Sequence, residues 1–354
     1  MADLDPSRKR YRITLADVAH KAGVSSATAS QVLNNRPNCW ASLNTRSRIL
    51  TAARELGYRP NLTARSLREG RTQSIGAISP MFYVGTHHNR ATGIFAAARH
   101  RLYAVVYSAH GNQPEQEEGL IQLLLDKGVD GLIVQPTDAG PHEELRRLAG
   151  TGFPVVTLDG SCSIPFDCDD VSADYTEVGR LQIAHLLALG RKRVALVNHV
   201  PAIYMDAVRE DAIRQELEKE KLPPPLLMDL PFAPGDSELP PLAPLEASLR
   251  AFFAENKGQF DCLIGSDYAM SLSMRLLAEL NIRVPEDVAI VGTGDTPLAA
   301  FGILPLTSVG VNDMWIGEQA FKTLMARLEN PTRQTFRHLF STPSLAIRAS
   351  SCKI

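Results

Sequence analysis

The sequence lacks the features that mark membrane and secreted proteins. Among its 354 residues, no apolar run approaches the roughly 18 residues needed to cross a bilayer. The opening residues, MADLDPSRKRY, contain no apolar stretch of the kind found in a secretory signal. Five scattered cysteines, an odd number without regular spacing, are typical of reduced thiols rather than a disulfide framework. We therefore expect a cytoplasmic protein with no membrane association, no metal site and no cofactor.

Common catalytic motifs are also missing. The sequence contains no GxGxxG after a strand pattern, no GxxxxGK[ST], no HExxH and no GxSxG. The run GTGDTP follows a late strand pattern and has only a superficial likeness to a phosphate-binding loop. An enzyme on a doubly wound fold is one alternative, which measured turnover of a nucleotide or a sugar would support. The sequence itself favours a protein without a catalytic site, because such a fold alone does not imply chemistry.

Charge is distributed unevenly along the chain. The whole sequence has 37 Lys and Arg against 39 Asp and Glu, and this balance alone argues against a nucleic-acid partner. Residues 1–71, however, hold 13 Lys and Arg against 5 Asp and Glu, whereas residues 72–354 hold 24 against 34. A basic segment joined to an acidic body predicts a nucleic-acid-binding module attached to a separate domain.

The basic segment has the pattern of three short helices. Thr14 is placed to cap a helix over residues 15–22, which Gly23 ends, and Ser25 is placed to cap a second helix after a very short turn. A third helix follows Ser42. Two helices joined by a tight glycine-containing turn predict a helix-turn-helix, in which the second helix enters the major groove of double-stranded DNA.

The second predicted helix carries the candidate base-reading residues. Ser26, Ala27, Ser30 and Gln31 fall on the face opposite its apolar positions. Gln31 is suited to a bidentate contact with adenine. Short hydroxyl and amide side chains suit phosphate contacts, and the candidates are Ser25, Thr28, Ser30 and Asn34. For Ser25 and Thr28, helix capping is the alternative.

From Ser74 onward, short apolar runs alternate with amphipathic helical segments in two successive series. This alternation predicts parallel sheets covered on both faces, arranged as two doubly wound subdomains with a ligand cleft between them. The proline-rich stretch at 223–244 is interpreted as a surface insertion. The expected fold class is thus an all-α helix-turn-helix DNA-binding domain followed by an α/β effector domain of two doubly wound parallel-sheet subdomains.

Two runs, ITLADVAHKAGVSSATASQVLN and TRSRILTAARELGYRPNLTARSLREGRTQSIGAISP, resemble the amino-terminal signature of the lactose-repressor (LacI/GalR) family. Weaker likenesses, such as HLLALGRKRVALV and VPEDVAIVG, extend the resemblance over essentially the whole chain. The resemblance implies a homodimeric transcriptional regulator, expected to be a repressor, that binds a near-palindromic operator. Its periplasmic-binding-protein-like body would sense a small-molecule effector. It implies a DNA-binding domain at 1–59, a hinge at 60–72, and an effector and dimerisation domain at 73–354.

The resemblance also implies further DNA contacts near the hinge. The segment beginning at Asn61 matches one that folds into a helix on DNA, and Leu67 matches a leucine wedged into the minor groove, with Ala64 at the small position beside it. Such an apolar wedge unstacks a base step and kinks the duplex. The alternative is that Leu67 is a core residue at a domain junction. Tyr58 is included among the expected DNA contacts.

The sequence departs from the family pattern in both the DNA-binding site and the effector site. Gln31 stands where the family usually has arginine, which predicts a changed base preference. Gly294 stands where an aspartate often grips sugar hydroxyls, so we expect an effector that is not a simple free sugar bound in the usual way, or a loss of effector control. A sugar-related small molecule is one candidate for the effector. The expected effector contacts are Tyr83, His87, Asp174, Arg209, Asp267 and Asp295.

Several of these assignments have alternatives. Asp174 and Asp267 could instead cap helices, and His87 could be a solvated residue at the rim of the cleft. Trp40 is expected to pack within the loop that follows the second helix. A solute-binding protein of the transport type is the remaining alternative for the whole chain, but the basic segment and the absence of a signal pattern argue against it.

Overall fold

The computed structural model describes residues 13–34, 39–59, 70–81, 85–137, 140–160, 164, 166–200, 204–231, 242–333 and 335–352. The chain divides into two compact units, Met1–Thr72 and Gln73–Ile354. The described helices of the first unit are α1 (Leu15–Ala22), α2 (Ser26–Leu33) and α3 (Leu43–Glu55).

The three predicted helices of the first unit are confirmed, and local capping explains their limits. The Thr14 hydroxyl accepts from the Asp17 amide at 3.3 Å while the Asp17 carboxylate accepts from the Thr14 amide at 2.8 Å. These hydrogen bonds to Thr14 hold the pKa of Asp17 below its usual value. Gly23 ends α1 in the left-handed region with φ 63°. A small apolar core joins the helices through Val18, Ala19, Ala22, Ala29, Val32, Ile49, Ala52 and Ala53.

The second unit contains two sheets. The first sheet has the order β11-β5-β4-β3-β1-β2 and is parallel throughout. Its strands are β1 (Ser74–Ser79), β2 (Ala104–Ala109), β3 (Leu132–Val134), β4 (Val155–Leu158), β5 (Asp169–Ala173) and β11 (His338–Ser341). The helices that follow its first strands are α4 (Thr86–His100), α5 (Pro114–Asp126) and α6 (Glu143–Thr151). We call this part lobe 1.

The second sheet has the order β12-β10-β9-β8-β6-β7 and is parallel except for the β10–β12 pair. Its strands are β6 (Val194–Val200), β7 (Leu226–Pro231), β8 (Cys262–Ile264), β9 (Ala289–Thr293), β10 (Thr307–Gly310) and β12 (Ser344–Ala346). The remaining described helices are α7 (Tyr175–Ala188), α8 (Tyr204–Lys219), α9 (Leu242–Glu255), α10 (Asp267–Glu279), α11 (Pro297–Phe301) and α12 (Asp313–Glu329). We call the sheet and the helices that pack on it lobe 2.

The two lobes are interleaved in sequence, which the prediction of two successive series missed. Helix α12 follows a lobe 2 strand but packs in the core of lobe 1, where Ile316 and Phe321 are buried. Strand β11 then pairs with β5 before the chain returns to β12. Over the described residues, the chain therefore crosses between the lobes after β5, after β10 and after β11.

The interpretation of residues 223–244 as a surface insertion is wrong for its first part. Residues 226–231 form β7, which pairs with β6 in parallel. Met228 and Leu230 are buried in the lobe 2 core, whereas Leu227 between them is 38% exposed. Because β7 is an edge strand, the proline at its end removes no internal ladder hydrogen bond.

Central strands are covered on both faces, as expected for parallel sheets between helices. All residues of β3, β4 and β8 are buried. Within the described ranges, no helix combines the length and the apolar character needed to span a bilayer. The same part of the chain contains no group of His, Cys, Asp and Glu side chains suited to a metal ion.

Candidate functional site: an exposed helix face and an interlobe cleft

Helix α2 presents an exposed face opposite the core of its unit. Ala29 and Val32 are buried against α1 and α3, and this fixes which side of the helix faces outward. Ser26, Ala27 and Gln31 are exposed on that outer side. The Gln31 side chain makes no hydrogen bond to another described residue, so its amide group is available to a base edge.

The hydroxyl and amide side chains assigned to phosphates have partners within the helix. The Ser25 hydroxyl accepts from the Thr28 amide at 3.1 Å and lies 2.9 Å from the Thr28 hydroxyl. Asn34 Nδ2 donates to the Ser30 carbonyl at 2.8 Å and to its hydroxyl at 3.2 Å. Ser25 therefore caps α2, which confirms the capping alternative for this residue. Phosphate contacts by Ser25, Thr28, Ser30 and Asn34 stay predictions.

Other expected DNA contacts follow α3 in the sequence. Tyr58 is half-buried and packs against the core around α3. The hinge residues Asn61, Ala64 and Leu67 lie outside the described residues. Their roles stay predictions.

The expectation that Trp40 packs within its loop is wrong. Its side chain is 97% exposed, whereas the flanking Cys39 and Ala41 pack against the core of the unit. Arg46 in α3 donates to the carbonyls of both flanking residues, which holds the loop backbone against the helix. With its neighbours on both sides turned inward, the Trp40 side chain lies in solvent.

In the second unit, the carboxyl ends of the two sheets approach each other. A Cβ atom at Gly294, after β9 in lobe 2, would lie 3.6 Å from Cγ2 of Thr86 in lobe 1. Parallel α/β folds bind ligands beyond the carboxyl ends of their strands. This region is therefore the candidate effector site.

Lobe 1 contributes two histidines that contact the same residue. His87 Nδ1 lies 3.0 Å from Oε1 of Gln135, which follows β3. His110 Nδ1 accepts from the Asn112 amide, so its proton is on Nε2, which donates to the Gln135 carbonyl at 2.9 Å. Burial, together with the nearby Arg90 charge, lowers the pKa of His87 to about 4. The His87 ring is thus neutral at pH 7.

A buried ionic cluster lies one helical turn further along α4. The Arg90 guanidinium donates to Asp313 at 2.8 Å, to Asp159 at 2.5 Å and to the Tyr175 hydroxyl at 3.0 Å. The Tyr175 hydroxyl in turn donates to Asp159 at 3.0 Å. Asp313 Oδ2 is buried without a hydrogen-bond partner among the described residues, and burial raises the pKa of this carboxyl to about 6. One arginine is therefore shared between two carboxylates.

On lobe 2, Arg209 is occupied by internal partners. Its guanidinium donates to Asn198 at 2.8 Å, contacts Asp206 at 2.9 Å and donates to the Thr293 hydroxyl at 3.0 Å. Gln182 Nε2 donates to the same hydroxyl at 2.8 Å. Arg209 is only 3% exposed, so an effector that replaces these contacts must first move the side chain or its partners.

Asp267 is the first residue of α10 and is also occupied. It accepts from the Thr296 amide at 2.7 Å, the Thr296 hydroxyl at 2.8 Å and the Ser308 hydroxyl at 2.6 Å. Burial raises the pKa of Asp267 to about 6. These three hydrogen bonds join α10 to the β9–α11 loop and to β10, which gives Asp267 a structural role in lobe 2.

The remaining expected effector contacts are dispersed. Asp174 is exposed and caps α7 by accepting from the Glu177 amide at 2.9 Å. Asp295 is exposed and paired with Arg348 at 2.6 Å. Tyr83 lies outside the described residues. The structure thus brings Arg209 and Asp267 to the carboxyl end of the second sheet and His87 to that of the first.

Sequence reasoning missed the Arg90 cluster and the Gln182–Thr293 contact. Arg90 lies within an amphipathic helix pattern, and its partners Asp159 and Asp313 are 69 and 223 residues away in the chain. No local spacing joins such residues. The one available signal was an isolated aspartate directly after the strand pattern VVTL, where cleft residues of parallel sheets are found.

A helix-turn-helix unit followed by a two-lobed α/β body defines a DNA-binding protein with a ligand-sensing domain. Three family models match the chain: bacterial regulatory proteins of the lacI family over residues 14–61, periplasmic binding proteins and sugar binding domain of the LacI family over 72–212, and a periplasmic binding protein-like domain over 183–351. The chain belongs to the lacI family of bacterial transcription regulators, a family of DNA-binding proteins rather than enzymes.

Known proteins resemble the chain along nearly its whole length. The HTH-type transcriptional repressor PurR of Haemophilus influenzae is 28% identical over 348 residues, covering 95% of this chain and 98% of that protein. The catabolite repressor/activator of Escherichia coli is 26% identical over 323 residues, covering 90% and 93%. The lac repressor dimer bound to operator and the anti-inducer ONPF has the same fold, with a TM-score of 0.81, 22% identity, and coverage of 96% of this chain and 99% of that chain.

Proposed function

We propose that this regulator binds a near-palindromic operator as a homodimer, with one α2 helix in each half-site. The exposed Ser26, Ala27 and Gln31 face on a basic unit is the observation that carries the proposal. Gln31 favours adenine at one base pair of each half-site, because its amide matches the N6 and N7 positions. Phosphate contacts from the flanking hydroxyls would fix the register of the helix.

Exposed apolar side chains on lobe 2 support the homodimer. Phe301 is 85% exposed and Leu298 41%, and Ile303 is fully exposed, around a groove of about 1150 Å³ between α10 and α11. Monomeric proteins rarely expose such a cluster, and a second copy of the chain is the partner that a palindromic operator requires. The lac repressor, which shares this fold, forms a dimer on its operator.

The cleft between the lobes is the proposed effector site, and we propose that its ligand is not a simple free sugar held by carboxylates. Arg209 and Asp267 have internal partners, and Gly294 offers no side chain. The related CelR structure contains cellobiose, so sugar-like ligands are the first to examine. The ligand would act by favouring one arrangement of the lobes over another, which changes the placement of the two DNA-binding units.

Duplexes that carry one or two copies of a selected half-site test the proposal. The full-length protein should bind the two-site duplex with two chains per duplex and bind the one-site duplex far more weakly. Equal affinity for both duplexes would contradict dimeric operator binding. Calorimetry with common monosaccharides tests the effector: tight binding of any of them would contradict the second part of the proposal.

A further inference from the structure

Trp40 exposes the whole of its side chain although both neighbouring residues face the core. The indole is 97% exposed, while Cys39 and Ala41 pack against the core of the first unit. Burying a large aromatic ring is strongly favourable in water, and tryptophan is enriched where proteins contact a partner. The exposed indole is therefore a candidate contact for a partner molecule.

The loop that carries Trp40 is anchored on both sides. Arg46 Nη2 donates to the Cys39 carbonyl at 2.9 Å, and Arg46 Nε donates to the Ala41 carbonyl at 3.3 Å. Ser42 then caps α3 by accepting from the Thr45 amide at 3.2 Å. The backbone around Trp40 is therefore held in place before any partner binds, which lowers the entropic cost of using the ring in a contact.

We propose that Trp40 contacts the sugar–phosphate backbone of bound DNA, an inference that rests on the proposed function of α2. Residues 39–41 lie between α2 and α3 in the sequence, so Trp40 belongs to the same small unit as the helix that we propose faces the bases. The indole N–H donates to a phosphate oxygen, and the apolar ring covers a deoxyribose. The net positive charge of residues 1–71 favours DNA over an acidic protein surface as the partner.

Intrinsic fluorescence of the full-length protein tests this contact directly. The chain has two tryptophans, Trp40 and Trp315, so Trp315→Phe leaves Trp40 as the single reporter. This variant is titrated with a random-sequence duplex at low salt, and binding is followed separately by the anisotropy of labelled DNA. Trp40 emission should change in parallel with binding, and iodide should quench it less in the complex. Unchanged emission and iodide access at saturating DNA would overturn the proposal.

Affinity measurements give a second, independent test. Trp40→Ala should weaken binding to the random-sequence duplex about tenfold, the loss expected for a hydrogen bond to a charged group. The slope of log affinity against log salt should stay unchanged, because a neutral ring displaces no counterions. Leu43→Ala is the matched control: this neighbouring side chain is 87% exposed but has no polar atom, and its loss should change affinity less than about twofold.

The outcomes separate this contact from the proposed function. Absence of any DNA binding by the unmodified chain would contradict both the proposed function and the Trp40 contact. DNA binding that neither changes Trp40 emission nor weakens in Trp40→Ala would overturn only the contact. Emission that depends on protein concentration without DNA would place Trp40 against a second copy of the chain, and this would also overturn the contact.

Discussion

Arg90 Nε in α4 donates a hydrogen bond to Asp313 Oδ1 over 2.8 Å, which fixes the start of α12 to lobe 1. The same guanidinium reaches the Tyr175 hydroxyl at the start of α7. Asp313 and Tyr175 each follow a point at which the chain crosses between the lobes. One buried side chain therefore contacts the chain segments at two of these crossings.

Loss of this arginine should destabilise the second unit strongly. Arg90→Leu leaves Asp159 and Asp313 buried without their cation, and breaking a buried pair in this way costs about 3–5 kcal/mol. Urea unfolding midpoints measure the change. Arg101→Ala is the control, because it removes an exposed pair with Glu329 that should contribute less than about 1 kcal/mol. Equal small losses in both variants would contradict the role assigned to Arg90.

The histidine beside Gln135 should make stability depend on pH. The pKa of His87 is lowered to about 4 in the folded protein, below the ordinary value of 6.5, so the unfolded chain binds the proton more readily between these values. Its contribution to stability therefore rises with pH across this window and is complete above it. His87→Gln should show a smaller rise in urea midpoint between pH 4.5 and pH 7.5 than the unmodified protein.

His88→Gln is the control for this measurement, since His88 is the next residue of α4 and is exposed. It should retain the pH dependence of the unmodified chain. If His87→Gln and His88→Gln show parallel profiles, the assignment of a lowered pKa to His87 is incorrect.

An aspartate at position 294, where family members often have one, should lower the stability of this protein. The φ of Gly294 is 123°, a backbone conformation that side-chain-bearing residues rarely adopt, and a Cβ there would lie 3.4 Å from Asp267 Oδ2. Gly294→Ala should cost about 1–3 kcal/mol from backbone strain, and Gly294→Asp should cost more because it adds a like charge. Gly119→Ala in α5, where a Cβ meets open space, should instead stabilise by about 0.5–1 kcal/mol. Thermal unfolding of the three variants measures these changes; matching shifts would contradict the strain argument.

The apolar cluster on lobe 2 should control assembly. Phe301→Asp places a charge in the middle of the proposed dimer surface, so sedimentation should show the mass of one chain rather than two. Leu189→Asp changes a side chain that is 40% exposed outside this groove, and this variant should remain dimeric. A dimer that survives Phe301→Asp would place the interface elsewhere.

Local signals were enough to predict the helix-turn-helix but not the connections of the second unit. Thr14, Gly23 and Ser25 act within one helical turn of their own position, so their effects could be predicted from sequence. The return of α12 and β11 to lobe 1 depends on packing between residues far apart in the chain, and no local pattern encodes it. The prolines that precede β7 concealed an edge strand whose Met228 and Leu230 are buried.

The candidate functional residues also divide into those that local sequence predicts and those that depend on distant parts of the chain. The outward face of α2 follows from helical periodicity, because the apolar positions determine the opposite face. The effector contacts could not be predicted in the same way: whether Arg209 and Asp267 are free or occupied depends on partners from other strands and helices. The exposure of Trp40 could not be predicted either, because an apolar side chain in a loop gives no local indication of whether it is buried.

Selection of bound sequences from a random duplex pool tests the central claim most directly. The unmodified full-length protein and Gln31→Arg are compared at the same salt concentration. Both should recover a near-palindrome, with adenine at one position of each half-site for the unmodified protein and guanine at that position for Gln31→Arg. Recovery of no motif, or of the same base with both proteins, would contradict the claim that α2 reads the operator through Gln31.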